Sequence, residues 1–283
     1  MTTSSPTVAT SRSGLAHLWQ ALAAIVGREM FKFSRQSGRL VSALVRPLLW
    51  LAVFAAGFRN VFGVAIAPPY DTYIAYDTYI VPGLVGMVLL FNGMQSSLAM
   101  VYDREMGMMR LLLTAPLPRA WLLFCKLIAT ATLSMAQAAV FVVVALLIGT
   151  ELPLWSWQLP HALLACACSA LMLGALGLVL SVNIKQLENF AGTMNFVIFP
   201  MYFMSTALYP LWKLEESGAT WVWWLARINP FTHAVEWMRF ALYGKDPGWA
   251  PAITIGCLIV FFSVACWGYD PQRGFGGLTK RGG

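Results

Sequence analysis

The residues best placed to carry chemistry are three successive charges, Asp103, Arg104 and Glu105, at the start of a short connection between apolar stretches. We call residues 103–119 the inner connection. An apolar helical face follows these charges, and two prolines, the first at Pro116, stop the helix. A short amphipathic helix of this kind is suited to docking in a groove of a partner protein. The spacing alone equally allows a surface helix that rests on lipid.

Residue types used in enzymatic catalysis are present, but they do not form a known catalytic arrangement. His17, His161 and His233 lie far apart, and the sequence contains neither a His-Glu-x-x-His nor a Gly-x-Ser-x-Gly motif. It also lacks the glycine-rich loop ending in Gly-Lys-Ser/Thr that binds the phosphates of ATP. Cys166 and Cys168 have no third or fourth metal ligand nearby. We therefore predict no enzymatic activity, no metal site and no cofactor bound by this chain.

Long apolar stretches dominate the chain. Of its 283 residues, 59% are hydrophobic and 11% are charged, whereas about 25% of the residues in a soluble domain are charged. A helix crosses a bilayer with about 20 apolar residues, because it satisfies its own backbone hydrogen bonds. We predict a transmembrane domain of residues 40–269 with six spans, at about 40–62, 79–102, 122–149, 161–183, 189–211 and 249–268. The predicted fold is an all-α polytopic membrane protein.

Lysine and arginine are distributed unevenly between the two sides of the predicted spans. One side carries 13 of the 19 basic residues, the other side carries five, and Arg46 lies inside the first span. Basic residues near the ends of spans stay in the cytoplasm. We therefore predict a multi-pass protein of a bacterial inner membrane with both termini cytoplasmic. This orientation accounts for the net charge of +7 without a nucleic-acid partner.

The segments that flank the spans have patterns of their own. Residues 1–39 form a cytoplasmic N-terminus, in which helically spaced apolar and basic residues predict an amphipathic helix on the lipid headgroups. Residues 213–246, the outer segment, are rich in Trp, which predicts a re-entrant pair of short helices in the outer leaflet. A plain extracellular loop is the alternative there. Residues 270–283 are a cytoplasmic tail.

Two smaller patterns concern packing and loop structure. Small residues recur every four positions in the fourth predicted span, at Ala162, Cys166, Ala170 and Gly174, which predicts a close contact between helices. The pentapeptide Tyr-Asp-Thr-Tyr-Ile occurs at residues 70–74 and again at residues 76–80. We interpret this duplication as a tolerated local insertion before the second span.

Two motifs resemble those of type-2 ATP-binding-cassette (ABC) transporter permeases. The inner connection, with Gly107, Arg110 and Arg119 after its three charges, resembles the cytoplasmic coupling segment of that family. The family's second signature is matched in the outer segment by Asn229, Pro230, Phe231, Glu236 and Arg239. The layout of spans and flanking segments also matches, so the resemblance covers nearly the whole chain. Within the family, the chain looks most similar to permeases that export drugs, polysaccharides and nodulation factors.

The resemblance implies a transport subunit that does not hydrolyse ATP itself. A separate ATP-binding-cassette ATPase subunit, holding ATP and magnesium, would drive alternating access. A second permease copy would complete the complex as a homodimer or a heterodimer. The residues predicted to contact the ATPase are Asp103, Arg104, Glu105, Met106, Gly107, Met109, Arg110, Leu112, Pro116, Lys185 and Glu188. The spacing of Lys185 and Glu188 is equally compatible with a local ion pair.

The substrate would pass between the two permeases near spans one, two and five. The candidate residues lining this path are Phe91, Asn92, Met94, Gln95, Asn195 and Phe196. Such a lining suits an amphiphilic or lipid-linked compound, and export is the direction expected from the family. An ion-coupled secondary transporter is the alternative, but such a carrier usually needs ionisable groups in mid-membrane. Arg46 is the only one well inside a predicted span, and arginine does not release its proton at physiological pH.

Overall fold

A computed structural model of the protein describes residues 14–35, 45–53, 76–106, 118–150, 152–153, 157–184 and 186–269. Within these ranges the chain forms ten helices and no strand, which confirms the all-α prediction. The helices are α1 (Gly14–Arg35), α2 (45–53), α3 (Tyr76–Glu105), α4 (Arg119–Leu147), α5 (Leu159–Asn183), α6 (Leu187–Phe203), α7 (Leu211–Glu216), α8 (Thr220–Ile228), α9 (Pro230–Leu242) and α10 (Ala250–Gly268).

Four of the described helices are long and apolar enough to cross a membrane. They are α3 from Thr78 onward, α4, α5 and α10, and they coincide with the second, third, fourth and sixth predicted spans. The first predicted span coincides with α2 over residues 45–53, and its remainder lies outside the described residues. The fifth predicted span coincides with α6, which has 17 residues. The chain is a multi-pass membrane protein.

The helix of the fifth predicted span ends earlier than the apolar window of residues 189–211 indicates. Pro200 lies inside α6, and Met204 leaves the helical conformation at φ −97° and ψ 53°. A proline inside a helix removes one backbone hydrogen bond and weakens the turn before it. The chain then turns through residues 204–210 and enters α7. The sequence window does not reveal this break, because residues 204–210 carry no charge and the uncharged window continues through the turn.

Helix α5 lies at the centre of the bundle, where it contacts α3, α4, α9 and α10. Its small residues allow a close approach to α3. A Cβ atom on Gly177 would lie 2.5 Å from the Ser97 hydroxyl and 2.8 Å from the Gly93 carbonyl oxygen. Ala170 and Gly174 on the same helix are also buried. Packing of small residues replaces the hydrophobic effect as the attraction between helices in lipid.

The outer segment forms three helices rather than the predicted pair. Gly218 adopts a left-handed backbone conformation, with φ of 71°, and separates α7 from α8. The sequence Asn229-Pro230 then separates α8 from α9, because a proline favours an extended residue before it and is accepted at the first position of a helix. Helix α9 packs against α3, α5 and α10. The last of the three is thus part of the bundle.

The predicted amphipathic helix of the N-terminus corresponds to α1. It packs against α4, and the indole Nε1 of Trp121 donates a hydrogen bond to the Leu18 carbonyl oxygen at 3.3 Å. Trp19 and Phe31 on α1 are exposed. Apolar side chains left exposed on an amphipathic helix next to a membrane bundle are typical of a helix lying at the lipid interface.

We expect Gly177→Ala to lower the free energy of unfolding by about 1–3 kcal/mol, because the added methyl group forces α3 and α5 apart. The measurement is the midpoint of denaturant unfolding in detergent micelles. Gly192→Ala in α6 is the matched control, since nothing lies within 4 Å of a Cβ atom placed there. Equal destabilisation by the two substitutions would contradict the close contact between α3 and α5.

Candidate functional site

The three charges of the inner connection form the last turn of α3, which extends to Glu105. They therefore continue the second span rather than beginning a separate helix, and Met106 follows with its side chain 59% exposed. Five other predicted coupling residues lie outside the described residues, namely Gly107, Met109, Arg110, Leu112 and Pro116. We call Asp103, Arg104 and Glu105 the inner charge cluster.

Glu105 joins the end of α3 to the beginning of α6. Its Oε1 atom accepts a hydrogen bond of 2.9 Å from the backbone N–H of Leu187, the first residue of α6. The first backbone N–H groups of a helix have no partner within the helix, and the helix dipole favours a negative charge there. The carboxylate of Glu105 therefore caps α6 from another helix.

The other two members of the inner charge cluster lie near α4 and near Tyr269. The Oδ2 atom of Asp103 lies 3.5 Å from Nζ of Lys126 on α4, and both side chains are partly buried. Arg104 lies near Tyr269, directly after α10. Burial raises the pKa of the Tyr269 phenol, and the positive charges of Arg104 and Arg119 oppose that rise. Asp103 and Glu105 thus contact α4 and α6, and Arg104 lies between them, near Tyr269.

The second predicted contact with an ATPase is described only in part. Lys185 lies outside the described residues, and Glu188 is exposed on the first turn of α6. On the same turn, Nδ2 of Asn189 donates a hydrogen bond of 2.6 Å to Oε1 of Gln186. A role for Lys185 and Glu188 in coupling, or as a local ion pair, stays a prediction.

Asn229 of the outer signature connects the end of α6 to the beginning of α9. Its Nδ2 group donates hydrogen bonds to the carbonyl oxygens of Met201, at 2.7 Å, and Met204, at 2.8 Å. Its Oδ1 atom accepts a hydrogen bond of 3.0 Å from the backbone N–H of Phe231. One side chain therefore satisfies unpaired carbonyls at one helix end and an unpaired N–H at another.

Arg239 of the same signature holds the turn after α6. It is 3% exposed, and its Nη2 group donates a hydrogen bond of 2.9 Å to the Thr206 carbonyl oxygen. The guanidinium also lies 4.0 Å from the centre of the Tyr79 ring, a distance typical of a cation–π contact. Phe231 is fully buried, whereas Glu236, one turn before Arg239, is partly buried.

Two tyrosines at the start of α3 hold the same turn from the other side. The Tyr79 hydroxyl donates to the Thr206 carbonyl oxygen at 3.0 Å, and the Tyr76 hydroxyl donates to the Leu208 carbonyl oxygen at 2.6 Å. We call Tyr76, Tyr79 and Arg239 the outer clamp. Sequence reasoning missed the two tyrosines, which belong to the second copy of the repeated pentapeptide. Their spacing of three residues at the start of a span was the available signal.

The predicted path residues have different environments in the single chain. On α3, Phe91, Asn92 and Met94 are buried and Gln95 is partly buried. The Nδ2 group of Asn92 donates a hydrogen bond of 2.6 Å to the Ser134 hydroxyl on α4. On α6, Asn195 and Phe196 are exposed. The Phe91 ring contacts α6 through Phe199, with 6.4 Å between ring centres. A role for these residues in lining the path stays a prediction.

The family model described as ABC-2 type transporter matches residues 20–243, from α1 through the outer clamp. The chain belongs to the ABC-2 type transporter family. Membership makes it the membrane permease subunit of an ABC transporter rather than an enzyme. The match contains both the inner charge cluster and the outer signature.

Individual ABC-2 relatives cover most of the chain. The inner membrane transport permease YadH of Escherichia coli K12 is 24% identical over 268 residues, which cover 93% of this chain and 99% of YadH. The ycf38 protein of Porphyra purpurea, which carries the provisional name of a transport permease, is 28% identical over 80% of this chain and 75% of its own length. The daunorubicin resistance permease DrrB1 of Streptomyces coeruleorubidus is 23% identical over 87% of this chain and 82% of its own length.

We expect Asn229→Ala to lower the free energy of unfolding by about 1–3 kcal/mol, the usual cost of leaving a buried polar group without its partner. The thermal unfolding midpoint in micelles measures this loss. Asn229→Asp removes the two donated hydrogen bonds while keeping the acceptor, so we expect a similar loss.

Asn183→Ala is the matched control for Asn229, because Asn183 is exposed and its Nδ2 group donates only to the Val179 carbonyl oxygen within its own helix, among the described contacts. We expect a change within about 0.5 kcal/mol there. If Asn229→Ala unfolded at the same temperature as the wild type, the connection between α6 and α9 would not depend on this side chain.

Proposed function

We propose that the chain is the membrane subunit of an exporter and that a separate ATPase subunit drives it through the inner connection. Two permease subunits would enclose the path, and each would move between an inward-open and an outward-open arrangement. The transported compound would be amphiphilic or lipid-linked. We further propose that both termini are cytoplasmic and that the membrane is a bacterial inner membrane.

The observation that carries this proposal is the inner charge cluster. Asp103, Arg104 and Glu105 immediately precede the part of the chain that resembles a coupling segment, and Asp103 and Glu105 contact α4 and α6. A push on the inner connection therefore acts on α3 and, through these contacts, on α4 and α6. Packed helices respond to such a push by moving as rigid groups, because close packing leaves few intermediate arrangements.

The outer clamp supports the same mechanism from the opposite end of α6. Tyr76, Tyr79 and Arg239 hold residues 204–210 against α3 and α9. Because Glu105 caps the start of α6 and Asn229 caps its end, a displacement on the cytoplasmic side has a continuous route to the outer side. We propose that opening of the outer clamp releases the compound.

Export and location are supported by the relatives. The name of DrrB1 refers to resistance to daunorubicin, which is consistent with removal of a compound from the cell by that protein. The name of YadH places that permease in the inner membrane. We extend both properties to this chain as part of the proposal. The excess of basic residues on the side of the inner connection supports the cytoplasmic placement of that connection.

We expect Glu105→Ala to reduce coupling between transport and ATP hydrolysis by about fivefold or more, the lower end of typical coupling energies. The reason is that α6 loses its connection to the inner charge cluster. Glu105→Gln retains a side-chain oxygen that accepts from the Leu187 N–H, so we expect it to retain more coupling. The measurement is ATP turnover stimulated by a transported compound, with the ATPase that co-purifies with the tagged chain from native membranes.

Glu215→Ala on α7 is the matched control, because it removes an exposed carboxylate from the opposite end of the bundle. We expect it to leave coupling unchanged. Recovery of no ATPase subunit in the co-purification would refute the proposed function. Transport driven by a proton gradient in the absence of ATP would instead support a secondary carrier.

A further inference from the structure

A positive charge on α2, that of Arg46, lies level with the midpoint of α3. The guanidinium carbon of Arg46 is 4.0 Å from the centre of the Phe91 ring. Phe91 is halfway along the 30 residues of α3, a helix that crosses the membrane. The Arg46 side chain is exposed at the side of the single chain. A charge at this depth is costly in a bilayer and commonly marks the pathway of a substrate or an ion.

The six predicted spans supply no acidic residue to neutralise this charge. All 12 aspartates and glutamates of the sequence lie outside those spans. Within the part of the chain that the structure describes, the small cavity beside the guanidinium has no acidic lining residue, and its polar residues besides Arg46 are Asn92, Gln95 and Gln137. Among the described residues around Arg46 there is thus no carboxylate, and an anionic ligand can supply the compensating charge.

Two buried amides give the site acceptors on its inner side. The Asn92 Oδ1 and Gln137 Oε1 atoms are buried and have no hydrogen-bond partner among the described residues. Both residues line the same cavity as Arg46, whose volume of about 20 Å³ holds about one water molecule. A guanidinium carries five N–H donors and accepts nothing. The two amide oxygens can accept hydrogen bonds, directly or through water, from the guanidinium N–H groups that face the cavity. The guanidinium N–H groups that face away from the cavity remain for a ligand.

We infer that Arg46 binds the acidic headgroup, a phosphate or a carboxylate, of the transported amphiphile. This inference rests on the proposed transport function. A guanidinium binds such oxyanions with two parallel hydrogen bonds. The apolar tail has an adjacent surface on α6, where Phe196 is 79% exposed and Phe199, which contacts Phe91, is 44% exposed. Arg46 thus selects anionic over zwitterionic amphiphiles.

The test compares two lysolipids that share one acyl chain, lysophosphatidylglycerol (anionic) and lysophosphatidylcholine (zwitterionic). Radiolabelled forms are bound to the full chain with its co-purified ATPase in nanodiscs of phosphatidylcholine. We expect the wild type to prefer the anionic lysolipid by about tenfold, as one charge-assisted contact provides. Arg46→Gln should abolish the preference. Binding of the zwitterionic lysolipid, whose phosphate is offset by its own choline cation, should fall less than binding of the anionic lysolipid, and the binding that remains shows that the variant is folded.

Two further variants sharpen the result. Arg46→Lys keeps the charge without the paired donors, so part of the preference should remain. Arg227→Gln is the matched control, because Arg227 also stacks on aromatic rings, at 4.8 Å from the Trp223 ring centre, but lies on α8 in the outer segment. The Arg227→Gln variant should prefer the anionic lysolipid to the same extent as the wild type. Equal binding of the two lysolipids to the wild type, or an unchanged preference in Arg46→Gln, would overturn the inference.

Addition of ATP shows whether the bound lysolipid is a transported ligand or a structural membrane lipid. A transported ligand leaves the site when ATP drives the change of state, so bound lysophosphatidylglycerol should fall. Retention of all bound lysolipid during ATP turnover would identify a structural lipid and overturn the inference. If ATP is not hydrolysed at all but the preference still depends on Arg46, the proposed transport function fails and the acid-binding site stands.

Discussion

Lipid offers no hydrogen bonds to the backbone, so the polar groups that this chain buries at its helix ends must be satisfied by its own side chains. Most of a membrane helix satisfies itself, but its first N–H groups and its last carbonyls do not. At both ends of α6, such groups are bonded by side chains that are distant in the sequence. Glu105 bonds the first N–H of α6, and Asn229 bonds two carbonyls at its other end. These bonds join both ends of α6 to the rest of the bundle.

Helix α6 consequently has the same kind of connection at both ends. On one side it begins beside the inner charge cluster, and on the other it ends in a turn held by the outer clamp. Between these ends it packs mainly against α3, while residues such as Asn195 and Phe196 are exposed. A helix fixed at its ends and free along one face is suited to transmit a displacement along its axis while it presents that face to a path or to a second subunit.

The centre of the bundle is organised by a different constraint, which is the distance between helix axes. Among the described residues, helix α5 offers its neighbours only long polar contacts, from the hydroxyls of Ser169 and Ser181, and it uses small residues to bring the backbones together. The contact of Gly177 with Gly93 and Ser97 is tight enough to exclude a methyl group. Polar bonds at the ends therefore determine where helices begin and stop, and small residues in the middle determine how closely they approach.

The sequence by itself determined the helical class, four spans, the small-residue contact and the two motifs that identify the family. These are local properties, since a long uncharged window or a spaced set of residue types can be recognised without knowing what it touches. The early end of α6 was not determined in this way, because residues 204–210 carry no charge and the uncharged window continues through the break at Met204. The third helix of the outer segment was missed although Ser217 and Gly218 are typical turn residues.

The tertiary structure alone decided what the signature residues bind. Glu105 bonds a residue 82 positions away, and the hydroxyls of Tyr79 and Tyr76 bond carbonyls 127 and 132 positions away. Each of these partners is a backbone group. Because every residue offers a carbonyl, and every residue except proline an N–H, the partner leaves no mark in the amino-acid sequence, and only the packing of the helices selects it.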